Sequence, residues 1–351
     1  FNNNNATQYG GGIYCASSSP DISNCYFTDN TTNEFGGAIL LSSSTPSITN
    51  CYFSGNFAEE LGGAICLQSS SPEIIETDFY SNSSDNIGGA IYCEESSPIF
   101  TESIFAGNSA INLGGAIGLE YNSSPELTNC TLVKNGASNG GAIYCNFSPI
   151  TIENSIIGFG LSGGAIYLPN NNDLPTITCS NIFGNVGGDW VDNIADQNGV
   201  DGNFSIDPLF CEPEIDNYQL AGNSPCLSGN NECVLLIGAL DMGCDIITDI
   251  ENSDGNSLPE TYRLSQNYPN PFNPTTTINY SLPVKSFVTI TVYNVLGREI
   301  KTIVNKSVDA GHHTAIWDGK AEDGKEVSSG IYLYRLNTND FISNRKMLLL
   351  K

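Results

Sequence analysis

The chain has 351 residues, is 40% hydrophobic and only 14% charged, and carries 36 glycines, 12 cysteines and a formal net charge of −26. That length allows two or three domains and a large core, and no run approaches the ~18 apolar residues of a membrane helix. Residues 1–260 contribute −30, with Lys134 their single base, and residues 261–351 contribute +4, which together give the −26 of the whole. An acidic body of this kind excludes nucleic acid and anionic lipid as its partners. With neither an initiating Met nor a charged-then-apolar leader, the sequence is expected to be a mature protein or a fragment.

From the first residues a unit recurs. Gly10-Gly11-Gly12-Ile13 is followed at intervals of 26 residues by Gly-Gly-Ala-Ile at 36, 62, 88, 114 and 140. A further copy stands at Gly163 and a decayed one at Gly187-Gly188. A second landmark keeps phase with it, an aromatic three residues before an Asn: Phe27/Asn30, Phe53/Asn56, Phe79/Asn82 and Phe105/Asn108. A third is Ser-rich sequence ending in Pro, at Pro20, Pro46, Pro72, Pro98, Pro125 and Pro149. A constant period with constant apolar sites marks a solenoid. A period near ~26 suits one rung of a parallel β-helix, whereas helix-pair repeats need ~33 or more.

Each coil is therefore expected to hold two strands, Ala-Ile-x-(Cys/Leu) and a run such as Ile48–Phe53, with a short third piece after the Asn. Stacking in register makes Ile39, Ile65, Ile91, Ile117 and Ile143 one interior column and Phe27, Phe53, Phe79 and Phe105 another. The glycine pair marks a corner that needs positive φ or close approach. The column Asn30, Asn56, Asn82 and Asn108 is expected to bend the chain and bond to its neighbours above and below. Cys15, Cys93 and Cys145 alternate with Leu, so they read as small buried apolar side chains. Cys25, Cys51 and Cys130 share a second site and take the same reading.

The paired motifs Gly-Gly-Ala-Ile and Phe-x-x-Asn over roughly residues 1–170 resemble the repeats of the chlamydial polymorphic outer-membrane proteins. The resemblance implies a right-handed parallel β-helix at a bacterial surface, here without any sign of an autotransporter barrel.

Residues 171–247 lose the period and read as the C-terminal cap of the helix, resembling the segment that closes such secreted domains. Cys211, Cys226, Cys233 and Cys244 fall in this loop-rich stretch and suit a disulfide framework among themselves, with three pairings open. Asp192, Asp196 and Asp201 lie in an Asp/Asn/Gly-rich loop, the one stretch that could hold Ca²⁺, though its spacing is not that of an EF-hand. No other cofactor is indicated.

Residues 248–260 read as a linker. From 261 to 351 alternating strands at Thr275–Ser281, Phe287–Asn294, Thr314–Trp317, Ile331–Leu336 and Lys346–Lys351 predict a small Ig-like β-sandwich. Asn267–Pro274, Tyr293–Arg298, Trp317-Asp318-Gly319-Lys320, Ser328–Tyr332 and the terminal Lys346–Lys351 occur in order and closely resemble the C-terminal sorting domain of type IX secretion cargo. That implies the type IX machinery as a partner and a destination outside, or on the surface of, a Gram-negative bacterium.

An enzyme is not expected. Neither histidine lies in the body, since His312 and His313 are in the tail, and Lys134 is the only base there, so no Arg, Lys or His is set for lyase chemistry. No carboxylate pair stands out for a glycosidase. The function expected is surface architecture or adhesion, with a glycan or surface protein as ligand. Because Phe1 already sits in the aromatic register, end-to-end stacking of copies into a filament is a further expectation. A polysaccharide lyase or glycoside hydrolase on the same scaffold is the alternative.

Overall fold

The computed structural model describes residues 1–170, 174–245, 247, 262–264, 267, 272, 274–295, 297–339 and 341–349. They form two compact units, Phe1–Ile247 and Thr248–Lys351. The linker read over 248–260 lies outside the described residues.

The first unit is a parallel β-solenoid whose rungs stack into four sheets. The first sheet holds Ile13–Ala16, Ile39–Ser42, Ile65–Gln68, Ile91–Glu94, Ile117–Glu120, Ile143–Cys145 and Ile166–Tyr167. The second runs from Ile22–Ser23 through Ser47–Thr49 and Glu73–Ile75 to Thr176–Thr178. The third begins Tyr26–Thr28, Tyr52–Ser54, Asp78–Tyr80 and Ile104–Ala106 and continues to Asn181–Phe183. The fourth is short, from Asn5–Ala6 to Ser109–Ala110. The sequence reading joined the second and third strands into one. Asn50, in the left-handed region at φ 52°, breaks that run into Ser47–Thr49 and Tyr52–Ser54.

Register is residue on like residue. Ile13 pairs with Ile39, Ile39 with Ile65, Ile65 with Ile91, Ile91 with Ile117 and Ile117 with Ile143. Phe27, Phe53, Phe79 and Phe105 lie with ring centroids 4.6, 5.0 and 4.7 Å apart and nearly parallel. All four are fully buried. Burying an aromatic of this size contributes about 1.5–3 kcal/mol, so each rung is apolar enough to hold its own layer of the core.

The glycine pair divides two tasks. Gly36 takes φ +67°, which only glycine adopts without strain. Gly37 has no such angle, but a Cβ there would stand 2.1 Å from the carbonyl oxygen of Gly63 in the next rung. The tight approach keeps that corner free of any side chain.

The other three corners share one device. A residue in the left-handed region is followed by an inward polar side chain that accepts the backbone N–H of its counterpart one rung earlier. Between the third and fourth sheets this is asparagine. Asn56 Oδ1 accepts from the backbone N of Asn30 at 3.0 Å and from its Nδ2 at 2.9 Å, and Asn56 Nδ2 donates to the Phe27 carbonyl at 2.9 Å. The same bonds join Asn82 to Asn56 and Asn108 to Asn82. Between the first and second sheets it is serine: Ser44 N donates to Ser70 Oγ at 3.0 Å, and Ser70 N to Ser96 Oγ at 2.9 Å. Between the second and third it is Cys, Thr or Ser: Cys25 N donates to Cys51 Sγ at 3.4 Å, Cys51 N to Thr77 Oγ1 at 3.3 Å and Thr77 N to Ser103 Oγ at 3.2 Å. These bonds satisfy N–H groups that the turn removes from the sheets, where each orphan would cost about 1–3 kcal/mol.

This corrects the reading of the cysteines. Cys93 sits, as expected, in an apolar column, paired in register with Leu67 and Leu119. Cys51 and Cys130 instead take hydroxyl positions, their thiols directed at backbone carbonyls of their own and the preceding rung.

The second unit is an antiparallel sandwich. One sheet holds Arg263–Leu264, Thr276–Leu282 and Gly311–Trp317; the other holds Glu299–Val308, Ser286–Asn294, Gly330–Asn337 and Ile342–Leu349. Its core includes Trp317, Ile278, Val288, Ile290, Tyr334 and Met347. The strand Glu299–Val308 was not foreseen, because Lys301, Asn305 and Lys306 interrupt its alternation.

Candidate functional site on the flank of the tyrosine sheet

The segment read as a cap does two jobs. Residues 184–203 close the last rung. Ile194, in the 3-10 turn Asp192–Gln197, is fully buried in the solenoid core, and Trp190 packs beside it. Side-chain amides satisfy the carbonyls of the final strands and turns: Asn193 Nδ2 donates to Leu168, Gln197 Nε2 to Pro175 and Asn203 Nδ2 to Ile177. Asp189 ends the asparagine column by accepting from Asn185.

Phe204 extends the end of the third sheet, bridging Asn181, and residues 207–244 then leave that end. They fold back along the outside of the third sheet as a shelf, built on Phe210–Glu212, Asn217–Ala221 and Met242–Cys244. The reason is in the outward positions of that sheet. In its later rungs Ile104, Ala106, Val133 and Ile156 surround a single Thr131, a largely apolar strip that must be covered. Phe210, Tyr218, Leu220, Cys226 and Ile237 cover it.

In the earlier rungs the outward positions change character. The column that continues as Ile104 and Ile156 is occupied by Tyr26, Tyr52 and Asp78, and Tyr80 takes the neighbouring column. Tyr26 is 69% exposed. The ring centroids of Tyr26 and Tyr52 are 5.9 Å apart and tilted by 46°, and those of Tyr52 and Tyr80 are 5.4 Å apart and tilted by 27°. The shelf stops at Tyr80, whose ring packs on it. The result is an aromatic row, open at Tyr26 and half-buried at Tyr52 and Tyr80, that ends against a wall.

The wall is polar. Tyr218 Oη donates to Asp216 Oδ1 at 2.8 Å. Lys134 Nζ donates to the Pro213 carbonyl, lies 3.9 Å from Asp216 Oδ1 and stands over the Tyr218 ring. The only base that the sequence offered in the body therefore clasps the shelf to the rungs. Burial pushes the Asp78 carboxyl up to about 6, offset only in part by a hydrogen bond with the Ile104 backbone. Burial, with the Asp78 and Asp216 charges behind it, also raises the Tyr80 phenol well above its usual range.

The disulfide reading needs correction. Cys211 pairs with Cys244, but Cys233 pairs with Cys179, and Cys226 is a free, buried thiol. Cys179 follows Thr178 at the end of the last second-sheet strand, so this bond ties the solenoid to the shelf. Cys226 faces the third sheet instead, where Asn181 Nδ2 donates to its sulfur. Asp192, Asp196 and Asp201 are all exposed, and no group of three metal-ligating side chains is gathered among the described residues. Sequence reasoning missed Tyr26, Tyr52 and Asp78 as a set. The signal was available as the change along one outward column from Tyr26, Tyr52 and Asp78 to Ile104 and Ile156, with Thr131 between them.

A solenoid filled by stacked side chains, closed at one end and joined to a separate sandwich, defines a parallel β-helix protein with a C-terminal module. Residues 36–205 match the family described as right handed beta helix region, and residues 24–42 the Chlamydia polymorphic membrane protein repeat. Residues 266–350 match the secretion system C-terminal sorting domain. The chain thus carries a right-handed β-helix and a type IX sorting domain, which implies the secretion machinery and export to the cell surface or beyond. Among the described residues no helix is long and apolar enough to cross a membrane.

No curated protein matches. A solved structure of PorZ, described as an essential bacterial surface component of the type-IX secretion system of Porphyromonas gingivalis, is 17% identical with a TM-score of 0.20. The match covers 28% of this chain and 13% of that one, and bears on neither fold nor function here.

Proposed function

We propose that this chain is an adhesive surface protein of a Gram-negative bacterium, delivered by type IX secretion, whose β-helix binds through its flank. The observation that carries the reading is the contrast along one sheet. Apolar outward positions are covered by a dedicated shelf, while beyond it Tyr26 is left open and Tyr52 half-buried. Exposed aromatics on a preorganised surface favour contact with a partner, since little conformational entropy is lost on binding. Beads coated with the full chain should be retained on bacterial or host-cell surfaces above albumin-coated beads. Equal retention would refute adhesion.

Single rods are favoured over filaments. End-to-end stacking needs an open rung on both faces of the contact, and Trp190 and Ile194 occupy the C-terminal one. Carbohydrate processing has one observation in its favour, the Asp78 carboxyl raised to about 6, a range suited to a general acid. Release of reducing ends from polysaccharides, abolished by Asp78→Asn, would establish it.

A further inference from the structure

Eight cysteines stand as free thiols, and two of them stack directly on one another. We infer that Cys25 and Cys51 are a site of oxidative closure, at which a disulfide oxidant met outside the cell converts the two thiols into a third disulfide that fastens one rung to the next. The inference stands apart from the adhesive reading and goes beyond it.

Position selects this pair. Cys25 and Cys51 occupy one corner site on adjacent rungs, between strands held in register, Ser23 on Thr49 and Tyr26 on Tyr52. Their Cα atoms are thereby held near the rung step of about 4.8 Å, inside the roughly 4.4–6.8 Å that a disulfide spans. The backbone N of Cys25 donates to Cys51 Sγ at 3.4 Å, so the Cys51 sulfur already rests against the residue it would bond. Cys25 Sγ is directed at the Ser23 carbonyl at 3.2 Å and Cys51 Sγ at the Thr49 carbonyl at 3.4 Å. Closure therefore gives up only weak S–H···O hydrogen bonds. The other thiols of the rungs have no such partner in register. Cys15 pairs with Leu41, Cys66 with Leu40 and Tyr92, Cys93 with Leu67 and Leu119, and Cys145 with Leu119. Cys130 N donates to Ser155 Oγ.

Access assigns the order of steps. Cys25 is half-buried and meets solvent, whereas Cys51 is 4% exposed. Burial above all, with the Cys25 thiol beside it, pushes the Cys51 thiol up, so the first attack falls to Cys25. Its thiolate bonds to one sulfur of the oxidant and releases the other as a thiolate. The Cys51 thiol then gives up its proton and attacks Cys25 Sγ, forming the new bond and expelling the second thiolate. Two electrons pass from the pair to the oxidant, which leaves as two thiols carrying the two cysteine protons. Exported proteins meet such oxidants, and the bonds Cys179–Cys233 and Cys211–Cys244 require the same chemistry. Both of those bonds involve the shelf, and neither reaches the rungs of Cys25 and Cys51. Without oxidant the pair stays reduced, with Cys51 as the corner acceptor described above.

The test treats the full folded chain with oxidised glutathione, then alkylates the remaining thiols after unfolding and maps peptides without reduction. The wild type should yield a Cys25–Cys51 cross-link and retain no glutathione on either residue. Cys51→Ser removes the resolving thiol and should trap glutathione on Cys25. Cys25→Ser should leave Cys51 as an alkylated thiol. Recovery of the Cys179–Cys233 link in each variant is the control for folding. Glutathione left on Cys25 of the wild type, both thiols recovered alkylated, or either one linked to a different cysteine would each overturn the inference.

Discussion

Asp189 accepts two hydrogens from Asn185, one from the backbone N and one from Nδ2, each at 2.8 Å. Asn185 in turn accepts from Gly160 N and donates to the Ile157 carbonyl. Gly160 interrupts the asparagine column one rung earlier, and Asn185, the last asparagine in it, gives its forward donors to a carboxylate. A carboxylate is a stronger acceptor for these two donors than a neutral amide oxygen would be.

Asp189→Ala should therefore loosen the closed end. The variant leaves buried donors of Asn185 unpaired and is expected to cost about 2 kcal/mol. Denaturant melts should report that loss, and limited proteolysis should begin within 184–203.

The two kinds of cysteine position make a paired prediction. Cys51→Ser places a hydroxyl where Thr77 and Ser103 already serve, and should change stability by less than about 1 kcal/mol. Cys93→Ser puts a hydroxyl among Leu67, Leu119 and their neighbours in the dry interior, and should cost about 2 kcal/mol or more. Equal effects of the two substitutions would contradict the corner account.

Disulfide mapping follows from the shelf. Peptide mass spectrometry without reduction should recover Cys179 linked to Cys233 and Cys211 linked to Cys244, with Cys226 alkylated only after unfolding. Removing Cys233 should destabilise the protein by about 2–4 kcal/mol and expose the strip of Ile104, Val133 and Ile156.

Asp78 supplies a pH dependence with a defined sign. Its ordinary value of 3.8 rises to about 6 in the fold, so between those values the folded state holds a proton that the unfolded state has lost. Stability contributed by this group falls as pH rises through that window. Above it the ionised form carries the full penalty, no more than about 2 kcal/mol for a side chain that keeps some access to solvent. Asp78→Asn should raise the melting temperature at neutral pH and have little effect near the lower edge of the window.

The interior columns were legible because a residue repeated every 26 positions is visible whatever its neighbours. Ile39 over Ile65 and Phe53 over Phe79 follow from period alone. The corners were harder. Ser44, Thr77 and Cys51 carry a rule about hydrogen-bond acceptors rather than about hydrophobicity, and Cys, Thr and Ser do not look like one class until the N–H they accept is seen. Asn50, read as part of a strand, is a turn because the left-handed region suits asparagine. The shelf was least legible. Its target, Ile104 to Ile156, lies at strand positions that read as ordinary outward sites, and its disulfide partner Cys179 belongs to the repeats. The tyrosine row became recognisable only once the shelf was known to stop short of it.

The measurement closest to the central claim is the melting of a variant lacking one complete rung, residues 65–90. If like residues stack on like, Ile39 should then pair with Ile91 and Phe53 with Phe105, and the shortened protein should keep a β-rich circular dichroism spectrum and a single cooperative transition. A molten or aggregated product would contradict the account, and so would an equally stable variant lacking only half of that rung.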